Sequence, residues 1–290
     1  MATQLPAIGG EVDGDFDAYV GIDWSGAAQP GYAGVAVARC AAGRAAPVLV
    51  RPPGQRWTRS AVLDWLRAEL AGPKRLLIGF DFAFHLPGDG RVAAALWAEV
   101  ESRCAADADL LGRAYAEGDP RFWSAGPQPQ GWNERPRATE LACRAAALGH
   151  PQTPFQLIGA KQVGKGALAG MRLLHRLDSE LRDRVAVWPF DAAAGRDRRS
   201  VCTEIYPRLF IRKAGFGNAK LRTRQDLNHV LNALASIGLA SGSARGEFDD
   251  HEADALVSAA GLREAAGRTS LWAAGAGEPE GWIFGVPKAG

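Results

Sequence analysis

The chain is poor in cysteine: Cys40, Cys104, Cys143 and Cys202 are its only four, widely spaced and without a CxxC pair. That is too few for a disulfide scaffold, and it fits a reducing, cytoplasmic setting. An excess of one charge is also lacking. With 34 Lys and Arg against 32 Asp and Glu, the net charge is +2. No global field announces a polyanionic partner, so any nucleic-acid surface must be local. No uninterrupted apolar run reaches membrane-spanning length, and the opening MATQLPAIGGEVDGDFD is acidic and lacks the apolar stretch of a secretory leader. Neither export nor embedding in a membrane is expected. Internal repeats and low-complexity tracts are absent as well. What the chain does have is length, 290 residues, and 47% hydrophobic content. That can bury a sizeable core in one large domain, or in a domain carrying a big insertion.

Apolar runs and turn residues give the order of elements. Ala18 to Ile22 reads as a buried strand broken by the polar turn Asp23-Trp24-Ser25-Gly26. Gly31 to Cys40 and Pro47 to Arg51 follow at short intervals, as in an antiparallel meander. Ser60 suits an N-cap, and Val62, Leu63, Leu66 and Leu70 recur at helical spacing until Gly72 and Pro73. RLLIGFDF, residues 75–82, is continuously apolar and follows a helix, so it should be a strand buried on both faces and parallel to a neighbour. Helical stretches at Val92 to Cys104, Ala138 to Leu148 and Ala167 to Arg182 form a mainly helical insertion over 85–199. Strand character returns at Ser200 to Tyr206, followed by helices near Arg224 to Leu239 and Asp249 to Ala266. Three antiparallel strands, a helix, a strand, a helical insertion, a strand and terminal helices make up the element order of a ribonuclease H-like α/β domain spanning 1–290, with a mixed five-stranded sheet.

Each apolar strand expected at the centre carries an acid: Asp23 in VGIDWSG, Asp81 in IGFDFAF and Glu204 in CTEIYP. A lone carboxylate is costly to bury there. If the strands of Asp23 and Asp81 are parallel neighbours, the two carboxylates lie about one strand spacing, ~4.8 Å, apart. They repel unless a cation lies between them. Oxygen-only ligation selects Mg²⁺ or Mn²⁺ over zinc. In FDDHEADALVSAAGL, Asp250, His251 and Asp254 share one helical face. A stripe through Leu256, Val257 and Ala260 would dock that helix on the sheet and carry Asp254 toward the strand acids, completing a cage for two metals. Structural roles stay open for the individual residues. Asp23 and Asp81 can cap turns or pair with Arg, Glu204 can pair with an Arg such as Arg208, Asp249 and Asp250 can serve as an N-cap, and His251 can stand beside the ligands or on the surface.

GIDWSGA, IGFDFAF, TPFQLIGAKQVGKGALAGM with WPFD, EIYPRLF, DDHEADALVSA and EGWIFGVP, taken together, resemble a bacterial and archaeal family described as predicted ribonuclease H-like nucleases, over nearly the whole chain. HEADAL is also similar to the final-helix segment of Holliday-junction resolvases, whose fold is the same and whose acids bind two metals. The resemblance implies that Asp23, Asp81 and Asp254 are metal ligands, supported by Glu204 and Asp250. One departure is His251, three residues before Asp254, where the resolvases have an acid.

Two loops are candidates for holding substrate. GAKQVGKG, residues 159–166, matches the phosphate-loop pattern GxxxxGK, yet Gly166 stands where a metal-binding hydroxyl is required, which excludes nucleoside-triphosphate cleavage by that motif. As a basic turn before a helix it can present Lys161 and Lys165 to a phosphate, or be a plain surface loop. DPRFWSAGPQPQGWNERPR, residues 119–137, interleaves Arg121, Arg135 and Arg137 with Phe122, Trp123 and Trp132, which suits stacking on unpaired bases along a basic groove or a cover packed by its own rings. With His150 and Gln152 nearby, the insertion should overhang the acidic edge. The expected function is a Mg²⁺- or Mn²⁺-dependent nuclease acting on DNA or RNA, with Asp23, Asp81, Glu204 and Asp254 as the catalytic acids. The alternatives are a small-molecule phosphotransferase or ATPase of the actin-like and sugar-kinase type, whose second glycine-rich phosphate turn is missing here, and a non-catalytic nucleic-acid-binding module.

Overall fold

The computed structural model describes residues 16–28, 34–159, 162–217, 220–239 and 248–288. AYVGID forms strand β1 (Ala18–Asp23), buried at every position, and LLIGF forms β4 (Leu76–Phe80), likewise buried throughout. Both lie centrally, because continuously apolar strands need cover on both faces. β1 pairs in parallel with β4 and antiparallel with β2 (Ala36–Ala41), which in turn pairs antiparallel with β3 (Val48–Leu49). Beyond β4, the sheet continues in parallel through β6 (Ser200–Glu204) to β5 (Val185–Val187). The fold is α/β, with a mixed sheet of order β3-β2-β1-β4-β6-β5 flanked by helices.

Among the described residues the sheet thus has six strands rather than the expected five. The extra one, β5, has only three residues and stands between charged Arg184 and the loop from Trp188, so its apolar run is too short for a periodicity to register. It sits within 85–199, so that segment contributes an edge strand as well as helices. The helix α1 (Arg59–Ala71) is capped by Thr58, whose hydroxyl accepts from the Ala61 N–H, instead of Ser60, whose hydroxyl and N–H donate to Asp109. Pro207, just past the strand, opens the helix α6 (Pro207–Lys213), where its missing N–H costs nothing.

Side-chain alternation divides the core into two. Val20, Ile22, Ile78, Phe80 and Cys202 face a layer that includes α1 and two insertion helices, α2 (Ala93–Arg103) and α5 (Gly164–Leu181). Tyr19, Leu77 and Val201 face the opposite layer, built largely by α8 (Asp250–Ala266). Gly21 brings α8 close: a Cβ there would stand 2.4 Å from the Ala255 carbonyl and 2.6 Å from the Ala259 nitrogen. The backbone of β1 and the helix therefore touch directly, which delivers the N-terminal turn of α8 to the end of β1.

Candidate functional site

The two-residue period of β1 points Asp23, like Tyr19 and Gly21, toward α8. Asp81 follows the last residue of β4, with its N–H donating to the Ile22 carbonyl at 3.0 Å, so it stands beside Asp23 on the same edge. Glu204 has the opposite parity, that of Cys202, and goes with the other layer. Alternation alone therefore sorts the three strand-end acids into a pair and a single.

The pair is completed from α8. Asp249 caps this helix, its carboxylate accepting from the His251 and Glu252 N–H groups at 2.9 Å, while Glu252 returns the contact to the Asp249 N–H at 3.0 Å. This box fixes the first turn, so that the His251 Nδ1 lies 2.6 Å from Asp23 Oδ2. Asp250 pairs instead with Lys220. Asp254 lies one turn further in and is partly buried.

The electrostatics of this group are those of crowded, poorly solvated acids. Burial raises the Asp23 carboxyl above its usual range against the opposing pull of His251, whose own pKa is raised by that hydrogen bond. Burial, then the charges of Asp23, Asp254 and Glu204, push Asp81 well up. Burial and Asp23 push Asp254 up to about 7. Among the described residues, neither Asp81 nor Asp254 forms an ion pair with a basic side chain. Like charges brought together without a partner hold protons, unless a cation replaces them.

Burial raises the Glu204 carboxyl too, but unlike Asp81 and Asp254 it has a basic partner that opposes the shift. Arg137 donates to both of its oxygens, at 2.9 Å through Nη1 and 2.5 Å through Nη2, and the Phe84 N–H donates at 3.0 Å. The same guanidinium reaches Glu140 through Nε at 2.8 Å and the Glu280 carbonyl at 3.1 Å. Arg137 and Glu140 are each 1% exposed. Glu204 is thus held by an arginine 67 residues away, not by the neighbouring Arg208.

A cleft of about 350 Å³ opens at this edge, lined by Asp81, Glu204 and Tyr206 from the sheet side and by Arg137, Gln152 and Lys165 from the insertion. The segment 85–199 therefore does overhang the acidic edge. Burial and Asp81 push the Tyr206 hydroxyl up to about 12, so it stays protonated and able to donate. Lys165, in the first turn of α5, is exposed and lines the cleft, whereas Lys161 lies outside the described residues. Arg121 and Trp123 are not among the walls. Arg121 is paired with Asp119 and Asp89 and lies over the Phe155 ring, and Trp123 packs edge-on against Trp132 at 5.6 Å. The sequence pattern gave no sign of Tyr206 beyond its place before Pro207, and it set Arg137 among the basic residues of an aromatic stretch rather than beside Glu204.

Compared with known proteins, the chain matches no family model, no curated protein and no solved structure. The geometry of the site is what bears on function.

Proposed function

We propose that this protein is a divalent-metal-dependent phosphodiesterase acting on nucleic acid, built on a ribonuclease H-like core. The observation that carries the reading is the gathering of Asp23, Asp81 and Asp254 at one sheet edge with, among the described residues, no basic side chain paired to Asp81 or Asp254. The donors fit Mg²⁺ or Mn²⁺ chemically, being carboxylate oxygens with a histidine already bonded to one of them. Among the described residues no group of three or more His, Cys, Asp or Glu stands ready-arranged around a single point, so the fit is one of chemistry and neighbourhood. Asp23 and Asp81 would hold the ion, with Asp254 as the third carboxylate.

When bound, a divalent ion supplies charge neutralisation and an acidified water. The chain's own residues do the rest. His251 fixes the Asp23 carboxylate through its 2.6 Å bond. Tyr206 offers a protonated hydroxyl, and Lys165 brings a positive charge to a cleft otherwise rich in acids. Arg137 holds Glu204 in place and opposes the burial that raises its carboxyl, which assigns that glutamate to shaping the cleft.

Incubating the protein with structured and unstructured DNA and RNA should give cleavage that requires Mn²⁺ or Mg²⁺ and disappears in Asp23→Asn. Cleavage that survives this substitution, or that needs no divalent ion, would remove the proposed site.

A further inference from the structure

Lys165 stands on the wall between two cavities. The acidic cleft lies on one side, and on the other is a cavity of about 600 Å³; Gly26 and Lys165 line both. The wall is rigid. A Cβ on Gly26 would sit 2.2 Å from the Gly166 nitrogen, so the turn after β1 lies directly on the start of α5. The Trp24 Nε1–H donates to the Gly166 carbonyl at 3.1 Å, and buried Arg59 donates to the Ser25 and Asp109 carbonyls, each at 2.7 Å. The second cavity has a partly apolar floor of Leu111, Ala116, Leu157 and Leu168. Of its charged groups, Arg113 is paired with Glu117 at 3.6 Å, and Asp107 is committed to the Ala114 N–H at 3.2 Å. Among the described residues, Lys165 forms neither an ion pair nor a hydrogen bond.

We infer that the second cavity seats an unpaired base of a single-stranded polynucleotide, with Lys165 holding the phosphate that crosses the wall and the next phosphodiester lying in the acidic cleft. An apolar floor takes the face of a base, and an unpartnered ammonium at the rim takes a phosphate. A paired base cannot be seated in such a cavity without leaving its duplex. The inference rests on the phosphodiesterase reading and deepens it by naming the strand state of the substrate.

The test is fluorescence anisotropy without divalent metal, using a labelled 12-nucleotide DNA and an RNA of the same sequence, each single and duplexed. Wild type is compared with Lys165→Gln and with Ala125→Trp, which fills the second cavity from its exposed rim, and thermal melting checks the fold of each variant. The single strand of at least one sugar type should bind about tenfold tighter than its duplex, and each variant should weaken it by about tenfold. Lys165→Gln should also flatten the dependence of log affinity on log salt by about 0.7, the loss of one phosphate contact. Duplex bound as tightly as single strand, a mononucleotide bound as tightly as the 12-mer, or unchanged affinity in both folded variants would overturn the inference. Because no metal is present, a protein that prefers single strands but never cleaves refutes the enzyme alone, and one that cleaves without preferring them refutes this inference alone.

Discussion

Two sets of buried acids lie at the same edge of one sheet, and they are balanced in opposite ways. Glu204 and Glu140 share the guanidinium of Arg137, so their charges are answered within the fold. Among the described residues Asp81 and Asp254 form no ion pair, Asp254 feeling Arg208 and His251 without pairing to either, and Asp23 has a single half-exposed histidine. An answered carboxylate explains itself as structure. An unanswered one lowers stability unless something outside the chain completes it, and it is this second set that points to a cation.

The strongest way to break the contrast is to unbalance the first set. Arg137→Leu leaves two carboxylates buried without a partner and should destabilise the protein by about 3–5 kcal/mol in chemical denaturation. Adding Glu140→Gln and Glu204→Gln should recover much of that loss. If Arg137→Leu alone leaves the denaturation midpoint unmoved, the triad does not carry the structural role given to it.

The second set should reveal itself through pH. Asp254 titrates at about 7 in the folded protein, against about 3.9 in an unfolded chain. Between those values the folded state keeps a proton that the unfolded chain has lost, so stability falls as pH rises from about 4 to 7 and then levels off. Asp81, raised well above its usual value, and His251, raised by Asp23, act in the same direction. Acids held low by arginine, such as Asp89 at about 2, change only below this window. Melting temperatures from pH 4 to 8 in metal-free buffer should follow this decline, with a shallower slope in Asp254→Asn. An equal slope in both proteins would mean that Asp254 is not the crowded acid described.

The smallest effect concerns the cap that delivers α8. Asp249→Ala removes two 2.9 Å contacts and should lower stability by about 1 kcal/mol. It should also lower the His251 pKa measured by NMR, both by removing the Asp249 charge and by loosening the His251–Asp23 bond. A histidine pKa that does not move would show that the bond stands without the cap.

Much of this arrangement was legible in the sequence. The unbroken apolar runs around Asp23 and Asp81 identified two central strands, and the helix between them required a parallel pairing, which is the register observed. Helical spacing placed Asp254 on a face with His251, and the N-cap chemistry of Asp249 was readable from its position. The pairing of Glu204 was not readable, because its partner Arg137 lies 67 residues away on the insertion and sequence proximity favours Arg208 instead. The parity that turns Glu204 from the aspartates depends on strand ends, which apolar runs define only loosely. The ring of Trp123 and its neighbours packs on itself, and composition does not distinguish self-packed aromatics from exposed stacking platforms.

The account stands most directly on whether the unanswered carboxylates take up a divalent cation. Thermal melting at pH 8, with and without Mn²⁺, should be compared in wild type and Asp81→Asn. At about a hundredfold excess over its dissociation constant the ion adds about 2.7 kcal/mol, which for a chain of this size raises the melting temperature by about 5 °C. Asp81→Asn should abolish that rise while melting no lower than wild type in metal-free buffer. No rise in wild type at millimolar Mn²⁺, or an equal rise in Asp81→Asn, would contradict the account.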